Sequence, residues 1–152
     1  MEYNEFRDAL NESPELAGLD ERLVGGLFWR CEKEILTEGT VIYEESAPLD
    51  YTFGLLLSGD LVVEKDGAIL GGIFERQLFG EMAYFTNKRA RTGTIRVGSP
   101  QAVVLKFSLT LEELSNPVFS TLRTALELQT WERFVSTSQS GAEYPEFIHH
   151  WS

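Results

Sequence analysis

"EGTVIYEESAPLDYTFGLLLSGDLVVEKDGAILGGIF", Glu38 to Phe74, is the stretch on which the fold turns. Its apolar residues recur with a period near two, in runs such as "YTFGLLL" and "LVVEK" that are too short for helices and rich in β-formers. Compact turn signals separate the runs, Ser58-Gly59-Asp60 and Asp66-Gly67, and the second is a strong hairpin signal because both of its residues tolerate positive φ. The period-two pattern starts earlier, in "EILTEGTVIYEE" from Glu34, and continues into "TGTIRVG" and "AVVLKF", which ends at Phe107. Many short strands with close turns predict an antiparallel sandwich or barrel, of the β-roll or jelly-roll kind.

The flanks read differently. "EYNEFRDALNE" and "LDERLVGGLFWRC" place Phe6, Leu10, Leu19, Leu23, Leu27 and Phe28 at helical steps, predicting two short amphipathic helices. After Phe107, "TLEELSNP" reads as a short helical segment, and Asn116-Pro117 as a break that starts a long helix from Pro117 to Ser138. Val118, Leu122, Ala125, Leu128, Trp131 and Val135 form its predicted apolar seam. "STSQSGAEYPEFIHHWS" lacks periodicity and is expected to be a flexible tail. The organisation expected is N-terminal helices over 1–30, a barrel over 31–108, C-terminal helices over 109–138 and a tail over 139–152.

Composition narrows the function classes. A chain of 152 residues is long enough for one domain with a sizeable core. No stretch approaches the roughly 20 apolar residues of a membrane helix, and the acidic N-terminus is unlike a secretory signal, so a cytoplasmic protein with no membrane partner is expected. Cys31 is alone, and His149 and His150 sit in the tail, so neither a multi-cysteine metal site nor a barrel-borne histidine cluster is expected. With no nucleophile elbow or P-loop either, the chain is expected to be no enzyme and to use no metal or cofactor. The formal charge of −11 argues against nucleic acid as a partner.

One segment departs from that acidity. Between Phe79 and Val97, in and just after "FGEMAYFTNKRARTG", four basic residues (Lys88, Arg89, Arg91, Arg96) accompany a single acid, Glu81. A positive island of this size suits a small anionic ligand, or an exposed loop balancing nearby acids. Gly80 permits close backbone approach, and a short helix beginning at Glu81 leaves the amides of Met82 and Ala83 available to an anion. Arg91, ten positions after Glu81, can offer a planar fork to phosphate oxygens. Glu81 can accept hydrogen bonds from hydroxyls. A carboxylate for a sugar hydroxyl beside amides and an arginine for a phosphate describes a cyclic nucleotide; a surface Glu81–Arg91 pair closing a turn is the competing reading of the spacing.

"FGEMA" followed by "RTGTIRV" resembles the phosphate-binding cassette of the cyclic nucleotide-binding domain family, found in catabolite activator-type regulators, kinase regulatory subunits and gated channels. The opening strands, with Gly39 and Gly59 at the expected turns, and the later helices extend the resemblance over roughly residues 20 to 137. The resemblance implies that Glu81 binds the ribose 2′-hydroxyl, that Arg91 binds the phosphate, and that Gly80, Met82 and Ala83 contribute backbone. Thr92 stands where a hydroxyl is compatible with cyclic GMP and does not exclude cyclic AMP. Two departures stand out: Arg76-Gln77 replaces a Gly-Asp turn, and Ala90 replaces a frequent proline. Arg89 competes with Arg91 for the phosphate, and the "TGTI" continuation favours Arg91.

The function expected from these residues is a non-catalytic sensor of cyclic AMP or cyclic GMP that signals to a protein partner by movement of its C-terminal helix, with homodimerisation along that helix. The alternative is a degenerate form of the fold that serves as an interaction module without nucleotide. A DNA-binding regulator is disfavoured by the charge and by the lack of a helix-turn-helix after the long helix.

Overall fold

The structure, a computed structural model, describes residues 1–137, with side chains to Phe134; the expected tail, His149 and His150 lie outside the described residues. Among the described residues, eight strands form two four-stranded antiparallel sheets. Strands β1 (Cys31–Thr37), β8 (Gln101–Ser108), β3 (Thr52–Ser58) and β6 (Leu78–Phe79) make the first, in that order. The second runs β2 (Val41–Tyr43), β7 (Thr94–Val97), β4 (Leu61–Lys65), β5 (Ala68–Ile73). Strand pleating sends successive side chains to opposite faces, and β3 and β8 use both. Leu56, Ala102 and Val104 join Tyr43, Leu61, Phe79, Ile95 and Val97 in an apolar layer contributed by both sheets. Phe53, Leu55, Leu105 and Phe107 instead join the helices in a second, larger core. The mixed fold with its two-sheet β-roll is the class that the sequence predicts.

Local signals account for the corners. Asp66 and Gly67 both have positive φ, 52° and 80°, and link β4 to β5 as the hairpin signal predicts. Within the strand-like run "EILTEGTVIYEE", Gly39 stands at the expected turn, its φ of 85° taking the chain from β1 into β2. Gly54 has a reason beyond turns: a Cβ there would sit 2.2 Å from the Phe79 ring, so the central strand is bare where β6 crosses it.

Helices α1 (Tyr3–Asn11) and α2 (Glu21–Phe28) pack Phe6, Leu10, Leu23 and Leu27 into the larger core. Asp20 caps α2 by accepting from the Leu23 amide at 2.9 Å. α3 (Leu111–Leu114) opens with a Thr110–Glu113 capping box. The long helix begins with a 3₁₀ turn at Pro117–Phe119, capped by Asn116, and continues as α4 (Ser120–Thr137). Its predicted seam is corrected. Phe119, Leu122, Leu126, Thr130 and Phe134 are buried, whereas Val118, Leu128 and Trp131 point outward; Val135 lies outside the described side chains. Two overlapping apolar stripes run along this helix, and spacing alone mixed them, joining the buried Leu122 and half-buried Ala125 to residues that face solvent.

Candidate functional site

After β6 the chain enters a 3₁₀ turn, Glu81–Phe85, where the sequence places a short helix. Gly80 precedes it in the left-handed region, φ +80°, and a Cβ there would come 2.5 Å from the Tyr43 ring, so both conformation and space demand glycine. The turn, the 88–93 segment and the β4–β5 hairpin wall a cavity of about 700 Å³, which α4 closes with Gln129, Glu132 and Arg133. Such a volume suits a ligand of mononucleotide size. Gly80, Met82, Ala83, Arg91 and Thr92 all line it.

Arg91 is 5% exposed and sits over the Tyr43 ring, its guanidinium carbon 3.6 Å from the ring centroid. Its Nη1 donates to the Gly80 carbonyl at 2.8 Å, tying β7's approach to the turn. Its Nη2 donates to Asp50 Oδ1 at 2.5 Å and to the Thr52 carbonyl at 2.8 Å. Partial burial pushes the Asp50 carboxyl up, but hydrogen bonds from Thr52 and Arg91 and the charge of Arg91 outweigh it and hold the group below its ordinary value. The Tyr43 phenol is pushed up to about 12, chiefly by burial, and stays neutral beneath the guanidinium. The Arg91 charge is thus oriented, stacked and already compensated.

Glu81 is 0% exposed and does not pair with Arg91. Arg133 of α4 donates from Nη1 to both of its carboxylate oxygens, to Oε2 at 2.8 Å, and from Nη2 to the Leu78 carbonyl. Burial pushes the Glu81 carboxyl up, and Arg133, the nearest cation, pulls against that. The competing surface reading of a Glu81–Arg91 pair is therefore not what the structure contains; each of the two has another partner. Arg89 donates to the Tyr84 and Thr86 carbonyls at 2.9 and 2.7 Å and so staples the loop. Around it, the Ala90–Pro48 bridge and the Arg91 amide bond to Ala47 set the path of the segment in which Ala90 stands.

Sequence reasoning did not single out Tyr43, Asp50, Thr52, Gln129 or Arg133. Arg133 left a faint signal, a cation seven residues after the buried Leu126 on the core-facing side of α4. Asp50 left none, because its contact with Arg91 spans 41 residues between loops.

No protein-family model matches the chain, and no curated protein matches its sequence. Solved structures do. PKAR CBD2 with bound Sp-2Cl-cAMPS is 19% identical with a TM-score of 0.76, over 93% of this chain and 93% of that one. cAMP-bound PfPKA-R is 20% identical, TM-score 0.71, over 93% of this chain and 48% of that one, so the chain spans about half the length of that relative. The regulatory subunit of a cAMP-independent protein kinase A from Trypanosoma cruzi, bound to guanosine, is 17% identical, TM-score 0.64, over 84% of this chain and 44% of that one. The fold is that of the cyclic nucleotide-binding domain.

Proposed function

We propose that this cyclic nucleotide-binding fold works as a sensor of a cyclic mononucleotide, cyclic AMP or cyclic GMP. The observation that carries the reading is the convergence of Arg91, Thr92, Gly80, Met82 and Ala83 on one cavity of about 700 Å³ roofed by α4, with Glu81 buried directly behind the lining residue Arg133. In this reading Arg91 meets the cyclic phosphate with help from the Met82 and Ala83 amides, and Glu81 accepts from the ribose hydroxyl. Thr92 offers its hydroxyl to the base, which lets cyclic GMP compete with cyclic AMP. The barrel over 31–108 holds the ligand and the helices over 109–138 carry the response to a protein partner, with self-association along α4. The chain performs no chemistry on the ligand, and the compartment in which it works is the cytoplasm.

Calorimetric titration with each nucleotide tests this. Wild type binds, and Arg91→Ala loses about 2 to 5 kcal/mol of binding, as expected for a desolvated charge contact; a melting curve separates lost binding from lost fold. Absence of heat with both nucleotides at millimolar concentration sinks the sensor reading. A second reading, an interaction module that takes no cyclic nucleotide, draws support from two features. Both charged site residues have internal partners, Asp50 and Arg133, and one similar structure is the regulatory subunit of a cAMP-independent protein kinase A bound to guanosine.

A further inference from the structure

Whatever holds Arg133 decides what can reach Glu81, because the carboxylate has no exposed surface and both its oxygens face that guanidinium. α4 does not hold it alone. Gln129, one turn earlier, satisfies both of its neighbours in one amide orientation: its nitrogen donates to Glu15 Oε1 at 3.1 Å, and its oxygen accepts from Arg133 Nε at 3.0 Å. Glu15 belongs to the segment between α1 and α2, and its second oxygen accepts from Ser13 Oγ at 3.0 Å. Ser13 is fully buried, and its carbonyl accepts from the Leu16 and Ala17 amides, so the start of this chain of contacts is fixed to the fold. Every nitrogen of the Arg133 guanidinium then has an acceptor: Gln129 for Nε, Glu81 for Nη1 and the Leu78 carbonyl for Nη2. The series Ser13, Glu15, Gln129, Arg133, Glu81 runs without a break from the N-terminal segment across α4 to the cavity.

We infer that Glu15 and Gln129 are positioning residues that hold Arg133 over Glu81, so that the N-terminal segment sets how readily a ligand hydroxyl reaches that carboxylate. The inference rests on the reading of Glu81 as the ligand's hydroxyl acceptor, and it deepens that reading. A ligand must displace Arg133 to reach Glu81. Cutting the series at Glu15 or Gln129 removes one of the contacts that resist displacement, while Glu81 itself stays intact. The gain in affinity is the worth of about one hydrogen bond, roughly two- to tenfold.

The test uses the full chain as wild type, Glu15→Ala, Glu15→Gln and Gln129→Ala, with two readouts: amide hydrogen exchange at 81–85 and 129–134, and titration with cyclic AMP. Glu15→Ala and Gln129→Ala are expected to speed exchange in both segments and to tighten cyclic AMP binding about two- to tenfold. Glu15→Gln keeps an oxygen facing Gln129 and is expected to behave as wild type, which a role through charge alone would not produce. Wild-type exchange at 81–85 in both alanine variants overturns the inference, as does Glu15→Gln behaving like Glu15→Ala. If exchange follows the expected pattern while no variant binds cyclic AMP, the positioning role stands and the nucleotide reading is what has failed.

Discussion

Glu81 and Arg91 sit ten residues apart, and the fold treats them in opposite ways. Arg91 packs on Tyr43 and pairs with Asp50, whose carboxyl is held below its ordinary value because hydrogen bonds from Thr52 and Arg91 and the Arg91 charge outweigh its partial burial. Glu81 is enclosed, and its carboxyl binds a proton more tightly in the folded chain than in the unfolded one because burial penalises the charge, with Arg133 opposing. The sign of the pH dependence follows. A raised folded-state value gives a stability contribution fully present below the ordinary value of 4.5 and lost as pH rises through the folded-state value. Urea unfolding of wild type and Glu81→Gln from acid to neutral pH should therefore show wild type losing ground to the variant as pH rises. A difference that stays flat across the range would mean that Arg133 fully offsets the burial. The acidic residue and the arginine were both legible from the cassette, since their types and spacing are local properties. Their partners were not, because Asp50 and Arg133 are brought up by loops and a helix far along the chain.

At the scale of the element, α4 carries two stripes. Leu122, Leu126, Thr130 and Phe134 bury one, and the other presents Leu128, 60% exposed, and Trp131, 46% exposed, beside a shallow groove with Thr124 and Glu127. The inner stripe fixes the helix over the cavity, which is how Gln129, Glu132 and Arg133 come to line it. Within the outer stripe Trp131 packs on the buried Phe134 ring, 5.7 Å between centroids, whereas Leu128 is the more exposed, so polar substitution at Leu128 leaves folding nearly unchanged, within about 0.5 kcal/mol. If self-association uses this face, Leu128→Glu yields a monomer by sedimentation while the melting curve barely moves. A wild type that sediments as a monomer with and without nucleotide would remove the dimer from the proposal. The helix itself was readable from its period, but the choice between stripes was not. Steps of three and four drew Val118, Leu128 and Trp131 into one seam with Leu122, and only packing against the Glu81–Phe85 turn and α3 distinguishes the faces.

Across the whole molecule, the two apolar layers are not independent bodies. β3 and β8 supply Phe53, Leu55, Leu105 and Phe107 to the helical side and Leu56, Ala102 and Val104 to the other, so loss of either layer strips one face from both central strands. Phe53 stacks on Phe107 at 5.0 Å between centroids, directly across the β3–β8 pair. Unfolding is therefore expected to be a single transition. Denaturation followed by Trp131 fluorescence, in a variant whose other two tryptophans are phenylalanine, should coincide with far-ultraviolet circular dichroism. Separate midpoints would show that the helices leave before the sheets.

By itself the sequence determined the two-sheet class, the hairpin at Asp66-Gly67, the flanking helices and the glycine at Gly80 that opens the Glu81–Phe85 turn. Each of these depends on period, turn chemistry or backbone freedom within a few residues. Tertiary structure alone decided that Glu81 is sealed by Arg133, that Arg91 is compensated by Asp50, and that Glu15 reaches the site through Gln129. Those contacts join residues 41 to 114 positions apart. Side chains so far apart meet only where sheets and helices pack, and nothing in the local pattern of any one segment encodes which distant charge will be buried against it.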